Sequence, residues 1–202
     1  MVGPENRFRI APFWKGRTAL LCGNGPSITR SDAMYFRGDF VCTVNNAVEI
    51  FPEADMLWFT DAKWYREHLV KVQSFTGIRA TLENYDLQSE IDGLWCIHNM
   101  GVHGYYPHND GVMCGGNGGY AALHTLIHMG FARIVLLGFD CKPGPNGWHW
   151  HGDHSPPLHN PSNQSAANWI KNFRELAIAD HGVEILNATP DSALDCFVDI
   201  SR

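Results

Sequence analysis

Residues 18–27 read Thr-Ala-Leu-Leu-Cys-Gly-Asn-Gly-Pro-Ser, a short apolar run that stops in a glycine-rich turn. Ala19 to Cys22 read as a buried strand, Gly23 and Gly25 permit backbone conformations closed to other residues, and Pro26-Ser27 suit the opening of a helix. A strand, a glycine turn and a helix start in that order predict backbone N–H groups converging at one point. Such a point favours an anion, so the first expectation is a phosphate cradle with the rest of the chain built around it.

The flanking sequence supplies that surround. Phe40–Val44 and Met56–Phe59 read as strands that end on Asn45-Asn46 and on Thr60-Asp61, and Asp61 to Val72 has helical spacing. Ile78–Leu82 and Leu94–Ile97 read as further strands, Gly118 to Met129 as a helix stopped by Gly130, and Arg133–Leu137 as a strand ending in Gly138-Phe139-Asp140. Gln164 to Ala179 reads as a helix capped by Ser162 or Asn163, Val183–Leu186 as a last strand, and Thr189-Pro190 as the start of a short terminal helix through Phe197. Two segments, 98–119 and 141–163, lack periodicity and read as irregular loops over a site, the first as a lid or substrate-binding surface. Alternating strands and helices predict one Rossmann-like domain spanning residues 1–202, a three-layer α/β/α sandwich on a mostly parallel sheet. In such sheets ligands gather beyond the carboxyl ends of the strands, where the polar stops lie.

Composition narrows the class. At 202 residues and 45% apolar content the chain can bury an ordinary core, and a net charge of -6 without a basic run gives no footprint for non-specific nucleic-acid binding. No apolar span or leader pattern stands out, so a cytoplasmic protein without a membrane partner is expected. The six cysteines have no C-x-x-C spacing and read as reduced thiols.

Three kinds of glycine loop separate on their neighbours. A Walker A loop needs a Lys followed by Ser or Thr, which do not follow Gly23. A dinucleotide fingerprint needs a third glycine where Ile28 stands and an acid about twenty residues on, where Asn45 stands. A mononucleotide pocket, or a plain strand-to-helix turn, is left.

The longer pattern is more specific. Gly23-Asn24-Gly25-Pro26-Ser27, a strand ending in Asn45-Asn46, Gly-Asn-Gly at 116–118 opening a helix, and a strand ending in Gly138-Phe139-Asp140 together resemble one group, from Thr18 to Phe197. It is the bacterial sialyltransferases that use CMP-sialic acid, with a wider Rossmann-like set that includes a pterin diphosphokinase and uncharacterised bacteriophage proteins. The resemblance implies a nucleotide-dependent transferase with a CMP-type nucleotide-sugar donor. In it Asn24, Pro26 and Ser27 hold the nucleotide phosphate, Asn45 contacts the donor, and Asn117-Gly118, Gly138 and Asp140 complete the pocket. His159 falls where that family has its general base. Asp61 replaces an Asn of the family; an acid there either repels phosphate or holds a metal, which opens the alternative of a Mg²⁺-dependent diphosphokinase. The string Trp150-His151-Gly152-Asp153-His154 looks more like the bacteriophage group, which leaves a third reading as a nucleotide-binding accessory protein without catalysis.

Catalysis is therefore assigned to His159, His154 and Asp140, with His154 as partner of the departing phosphate. The acceptor is a glycan or a nucleobase, and assembly into a homo-oligomer fits a loop-covered site. His149, His151 and His154 carry three readings: acid–base or phosphate contact, a divalent metal set of nitrogen and oxygen ligands in which His149 and His151 are completed by Asp153 and His154, or plain polar loop; no metal ligand is assigned. Trp148 and Trp150 are candidates to stack a base or sugar, His98, His103 and His108 to line the pocket, and Trp58, Trp95 and Trp169 to lie in the core. Asn45 and Asp140 can equally serve a turn, and Asp61 a helix N-cap.

Overall fold

The computed structural model describes residues 8–83, 87 and 90–202. Its centre is an eight-stranded, all-parallel sheet. The strands are β1 (Thr18–Cys22), β2 (Phe40–Val44), β3 (Met56–Trp58), β4 (Ile78–Leu82), β5 (Trp95–Ile97), β8 (Arg133–Leu137), β9 (Glu184–Asn187) and β10 (Val198–Asp199). Two short strands between them, β6 (Asn99–Gly101) and β7 (Val112–Met113), pair with each other. The order across the large sheet is β10-β9-β8-β1-β2-β3-β4-β5. The chain thus lays strands outward on one side of β1, returns, and lays β8 to β10 on the other. This is the Rossmann-like α/β fold expected from the alternation of elements.

Parity along the strands divides the core. Ala19, Leu21, Phe40, Cys42, Met56 and Trp58 join one apolar cluster with Tyr120, Leu123 and Leu126 of helix α5 (Gly118–His128) and Phe173 and Leu176 of α6 (Asn163–Ala177). Their neighbours Leu20, Cys22, Val41 and Leu57 join a second cluster with Ala33 of α1 (Arg30–Tyr35), Val48 of α2 (Ala47–Ile50), Trp64 of α3 (Ala62–Glu67) and Val72 of α4 (Leu69–Ser74). Both sheet faces are therefore apolar, which explains strands written as continuous apolar runs.

Three local expectations are corrected. Pro26-Ser27 lie in a turn, and α1 starts only at Arg30 under the cap of Thr29, whose side chain accepts from the Asp32 N–H. The helical spacing over 61–72 resolves into two six-residue helices broken at His68. No terminal helix follows Thr189-Pro190: the Thr189 hydroxyl accepts from the Phe139 N–H at 3.0 Å, and the Ser192 hydroxyl donates to the Phe139 carbonyl at 2.7 Å. The segment buttresses the turn after β8 instead of helping itself to a helix. No helix among the described residues is long and apolar enough to cross a membrane.

Candidate functional site

The strand order reverses at β1 and β8, and the turns that follow these two strands meet at the carboxyl edge of the sheet. The Gly23 N–H donates to the Leu137 carbonyl and the Gly25 N–H to the Gly138 carbonyl, both at 2.8 Å. The Ser27 N–H donates to Asp140 Oδ1 at 3.1 Å. The glycine turn is thus zipped onto the β8 turn, and three of its amides are occupied inside the chain. They do not converge on a ligand, contrary to the expected phosphate cradle.

The same contact accounts for the glycines. A Cβ on Gly25 would lie 1.8 Å from Asp140 Oδ2, and one on Gly23 would lie 2.6 Å from the Gly138 carbonyl oxygen. Gly138 itself has φ +73°, a left-handed conformation that favours glycine. Close backbone approach, not phosphate, fixes these three positions.

Beside this zipper opens a cavity of about 350 Å³, within the size range of small-molecule sites. Its walls include Gly23, Asn24 and Gly25 after β1, Asn45 after β2, Asp61 after β3, and Gly138 and Asp140 after β8. Asn117 and Gly118 at the start of α5, and His154 and His159 of segment 141–163, line it as well. Eleven of the thirteen positions assigned in sequence to catalysis or nucleotide binding therefore share one cavity. Pro26 and Ser27 do not line it; Pro26 packs near Gly144.

Several wall residues have local duties as well. Asn117 caps α5 by accepting from the Tyr120 N–H at 3.0 Å, and Asp61 caps α3 by accepting from the Lys63 N–H at 2.7 Å. The N-terminal turn of α5, with Gly118 and Gly119 at the wall, presents the partial positive charge of an eleven-residue helix to the cavity.

What the strand-end residues offer is different in kind. Asn24 Oδ1, Asn45 Oδ1 and Asp140 Oδ2 are buried and have no hydrogen-bond partner among the described residues. The Asn24 side chain is oriented by its Nδ2, which donates to the Val44 carbonyl at 2.8 Å and leaves Oδ1 unmatched. Asn45 is held at φ +50°, a conformation Asn tolerates better than most residues. All three orphans are acceptors. Unmatched buried acceptors carry a desolvation cost of about 1–3 kcal/mol each, which a ligand's hydroxyl or amine group removes by donating to them. A phosphate oxygen cannot.

Electrostatics agree with that division. Burial raises the Asp140 carboxyl above the ordinary carboxylate range, opposed by hydrogen bonding from Ser27. Burial also pushes the Cys141 thiol up to about 12, so this wall residue is no thiolate nucleophile. Lys142 at the rim donates to Asp191 at 2.5 Å.

The proline-rich segment 141–163 lacks regular structure yet is tightly restrained. The Trp150 N–H donates to the Asn24 carbonyl at 3.2 Å, the Trp148 N–H to Asp153 Oδ1 at 3.0 Å, and the Gly152 N–H to the His149 carbonyl at 3.0 Å. The side chain of Asn160 clasps the backbone of His154 from both sides, accepting from its N–H at 2.7 Å and donating to its carbonyl at 3.0 Å. His149, His151 and His154 are brought together, with ring centroids 4.7–5.1 Å apart. Burial, then the neighbouring His154 and His151 rings, lowers His149 to about 4; burial chiefly lowers His151 and His154 as well. Among the described residues this is the one group of three or more His, Cys, Asp or Glu side chains spaced to hold a metal ion. Asp61 and Asp140, the acids of the diphosphokinase alternative, belong to no such group.

Other expectations fail. His98, His103 and His108 do not line the cavity. His98 pairs with Glu83, and His103 lies 3.0 Å from Asn172. Most of segment 98–119 is anchored to α5 through His124 and Tyr120, and only its last residues reach the site. Trp148 lines the cavity, whereas Trp150 packs against the core. Trp169, expected in the core, packs against it and forms cavity wall as well, held by its Nε1–H donating to the Gly116 carbonyl at 2.9 Å. Trp64, Lys142 and Cys141 also escaped the sequence reading; the first two carry no spacing signal, and only position beside a strand end marks the third. Comparison with protein-family models, with curated proteins and with solved structures finds no match to this chain.

Proposed function

We propose that the cavity binds a nucleotide donor and that the protein is a nucleotide-dependent transferase. The observation that carries this reading is a cavity at the strand-order reversal lined by Asn24, Asn45 and Asp140, three residues whose buried Oδ1, Oδ1 and Oδ2 atoms have no hydrogen-bond partner among the described residues. They suit the hydroxyl and amine donors of a nucleoside or a sugar. The phosphate end then lies toward the N-terminal turn of α5, at Gly118 and Gly119, rather than in the glycine turn. His159 serves as base for an acceptor hydroxyl, and His154 as partner of the departing phosphate. The resemblance to CMP-sialic acid-dependent enzymes favours a CMP-type sugar donor and a glycan or nucleobase acceptor.

The Mg²⁺-dependent phosphotransferase is less well supported. Asp61 is engaged as a helix cap, and Asp140 is a buried carboxyl with one oxygen already bound to Ser27.

A thermal-shift panel of CMP, UDP, GDP and ATP, their sugar conjugates and the parent nucleosides, with and without Mg²⁺, tests the proposal. A ligand at one hundred times its Kd adds about 2.7 kcal/mol, or roughly 5–10 °C for a chain of this size. A shift with CMP-sugar independent of Mg²⁺ is expected. A shift with ATP only when Mg²⁺ is present favours the phosphotransferase, and no shift with any of them refutes nucleotide binding.

A further inference from the structure

The histidine loop carries more than the transferase reading requires. His149, His151 and His154 each offer one ring nitrogen, and the three lie within 4.8 Å of one another. Nε2 of His149 and Nε2 of His151 are buried and have no hydrogen-bond partner among the described residues. Two imidazole nitrogens withdrawn from water and given nothing to bind are an unusual expense unless something else occupies them.

The backbone around them is fixed rather than loose. The Gly152 N–H ties back to the His149 carbonyl, Asp153 holds the Trp148 N–H, and Asn160 grips His154 on both backbone groups. The bond from the Trp150 N–H to the Asn24 carbonyl sets the whole loop against the glycine turn. Nitrogens within 4.8 Å of one another stand close to the spacing of about 3.3 Å in a tetrahedral set with Zn–N near 2.0–2.1 Å.

We propose that His149, His151 and His154 bind a divalent, zinc-class ion through three imidazole nitrogens, with its remaining coordination directed to the cavity. Three neutral nitrogen ligands without carboxylate suit zinc or a neighbouring late first-row metal and disfavour Mg²⁺ or Ca²⁺, which take oxygen. A three-protein-ligand set leaves a position for an exchangeable oxygen. His149 and His154 line the cavity, so an ion they hold borders the space assigned above to the nucleotide. The site stands whether or not that nucleotide assignment does.

The test uses the full chain without a histidine tag and zinc alone as the probe. After loading and desalting, elemental analysis should return about one zinc per chain, consistent with a single three-histidine set. The double substitution His149→Ala/His151→Ala should lose it, whereas His108→Ala, on an exposed loop remote from the cluster, should keep it. Wild-type protein without zinc, or a double variant that retains it, overturns the proposal. X-ray absorption on the loaded wild-type protein decides the matter even where the double variant fails to fold: nitrogen scatterers at about 2.0–2.1 Å with imidazole outer-shell features support the site, and sulfur at about 2.3 Å or an all-oxygen shell overturns it. Nucleotide stabilisation is measured separately on metal-free protein, so failure of one assignment is distinguishable from failure of the other.

Discussion

Acid should destabilise this protein through His124, and by an amount that can be worked out. The ring is fully buried on α5. Its Nδ1 accepts from the Met113 N–H at 3.1 Å, which leaves Nε2 protonated and donating to the Tyr106 carbonyl at 3.0 Å. Both nitrogens are satisfied in the neutral form, and burial lowers the group to about 3. In the unfolded chain it titrates near 6.5, so between pH 6.5 and 3 the unfolded state binds more protons and stability falls as pH falls. From pH 7.5 to 5.0 the loss is about 2 kcal/mol, and it is nearly the same for any native value below 4. His128, held at about 4 mainly by burial, adds a similar amount.

His124→Asn isolates the effect. The amide oxygen can still accept from Met113, while the bond to Tyr106 and part of the packing are lost, costing about 2–3 kcal/mol at pH 7.5. More telling is the difference between pH values. Urea unfolding at pH 7.5 and 5.0 should show the variant losing about 2 kcal/mol less than wild type on acidification. Equal losses in the two proteins would refute the claim that a neutral buried imidazole at this position underlies the acid sensitivity.

The site yields further tests. Gly25→Ala forces a Cβ to within 1.8 Å of Asp140 and should cost about 3 kcal/mol, read as a fall of roughly 6–12 °C in Tm; an unchanged Tm contradicts the zipped-turn account. Asp140→Asn keeps an oxygen for the Ser27 N–H and should leave Tm within a few degrees, while nucleoside affinity by calorimetry falls about tenfold, the equivalent of one hydrogen bond to a charged acceptor. His159→Ala should lower transfer about 10²–10⁴-fold with nucleotide Kd essentially unchanged, and retained turnover would remove His159 from the base role.

The parts of the molecule that were legible in sequence are those governed by neighbours in sequence. Arg133–Leu137 and Phe40–Val44 appear as strands because both of their faces are buried, which writes a continuous apolar run. Ser162 announces its helix because a cap acts within three residues. The misreadings depend on distant partners. Whether the Gly23 and Gly25 amides are free is decided by carbonyls at 137 and 138, on the neighbouring strand. Thr189-Pro190 has the chemistry of a helix start, yet the buried Phe139 N–H claims the Thr189 hydroxyl first. Trp169 sits at a helical position that reads as core and does pack against it, but its further place at the cavity wall depends on the distant Gly116 carbonyl that its indole N–H meets. In the histidine loop convergence was one of three readings that composition left open, because what decides it, the clasp of Asn160 and the tie to Asn24, acts through the fold.

The pairing of β1 with β8 also has a kinetic side. β1 is central, flanked by β2 and by β8, and the Ser27–Asp140 contact that completes the zipper joins residues 113 apart in sequence. Closing so long a loop comes before its reward, and topologies rich in such contacts fold slowly. During synthesis the β1 edge and its glycine turn wait unpaired until more than two thirds of the chain has emerged. Ligand can meet the finished cavity only after β8 docks, so a ligand that binds there would act as a late clamp on folding and would slow global unfolding rather than hasten collapse.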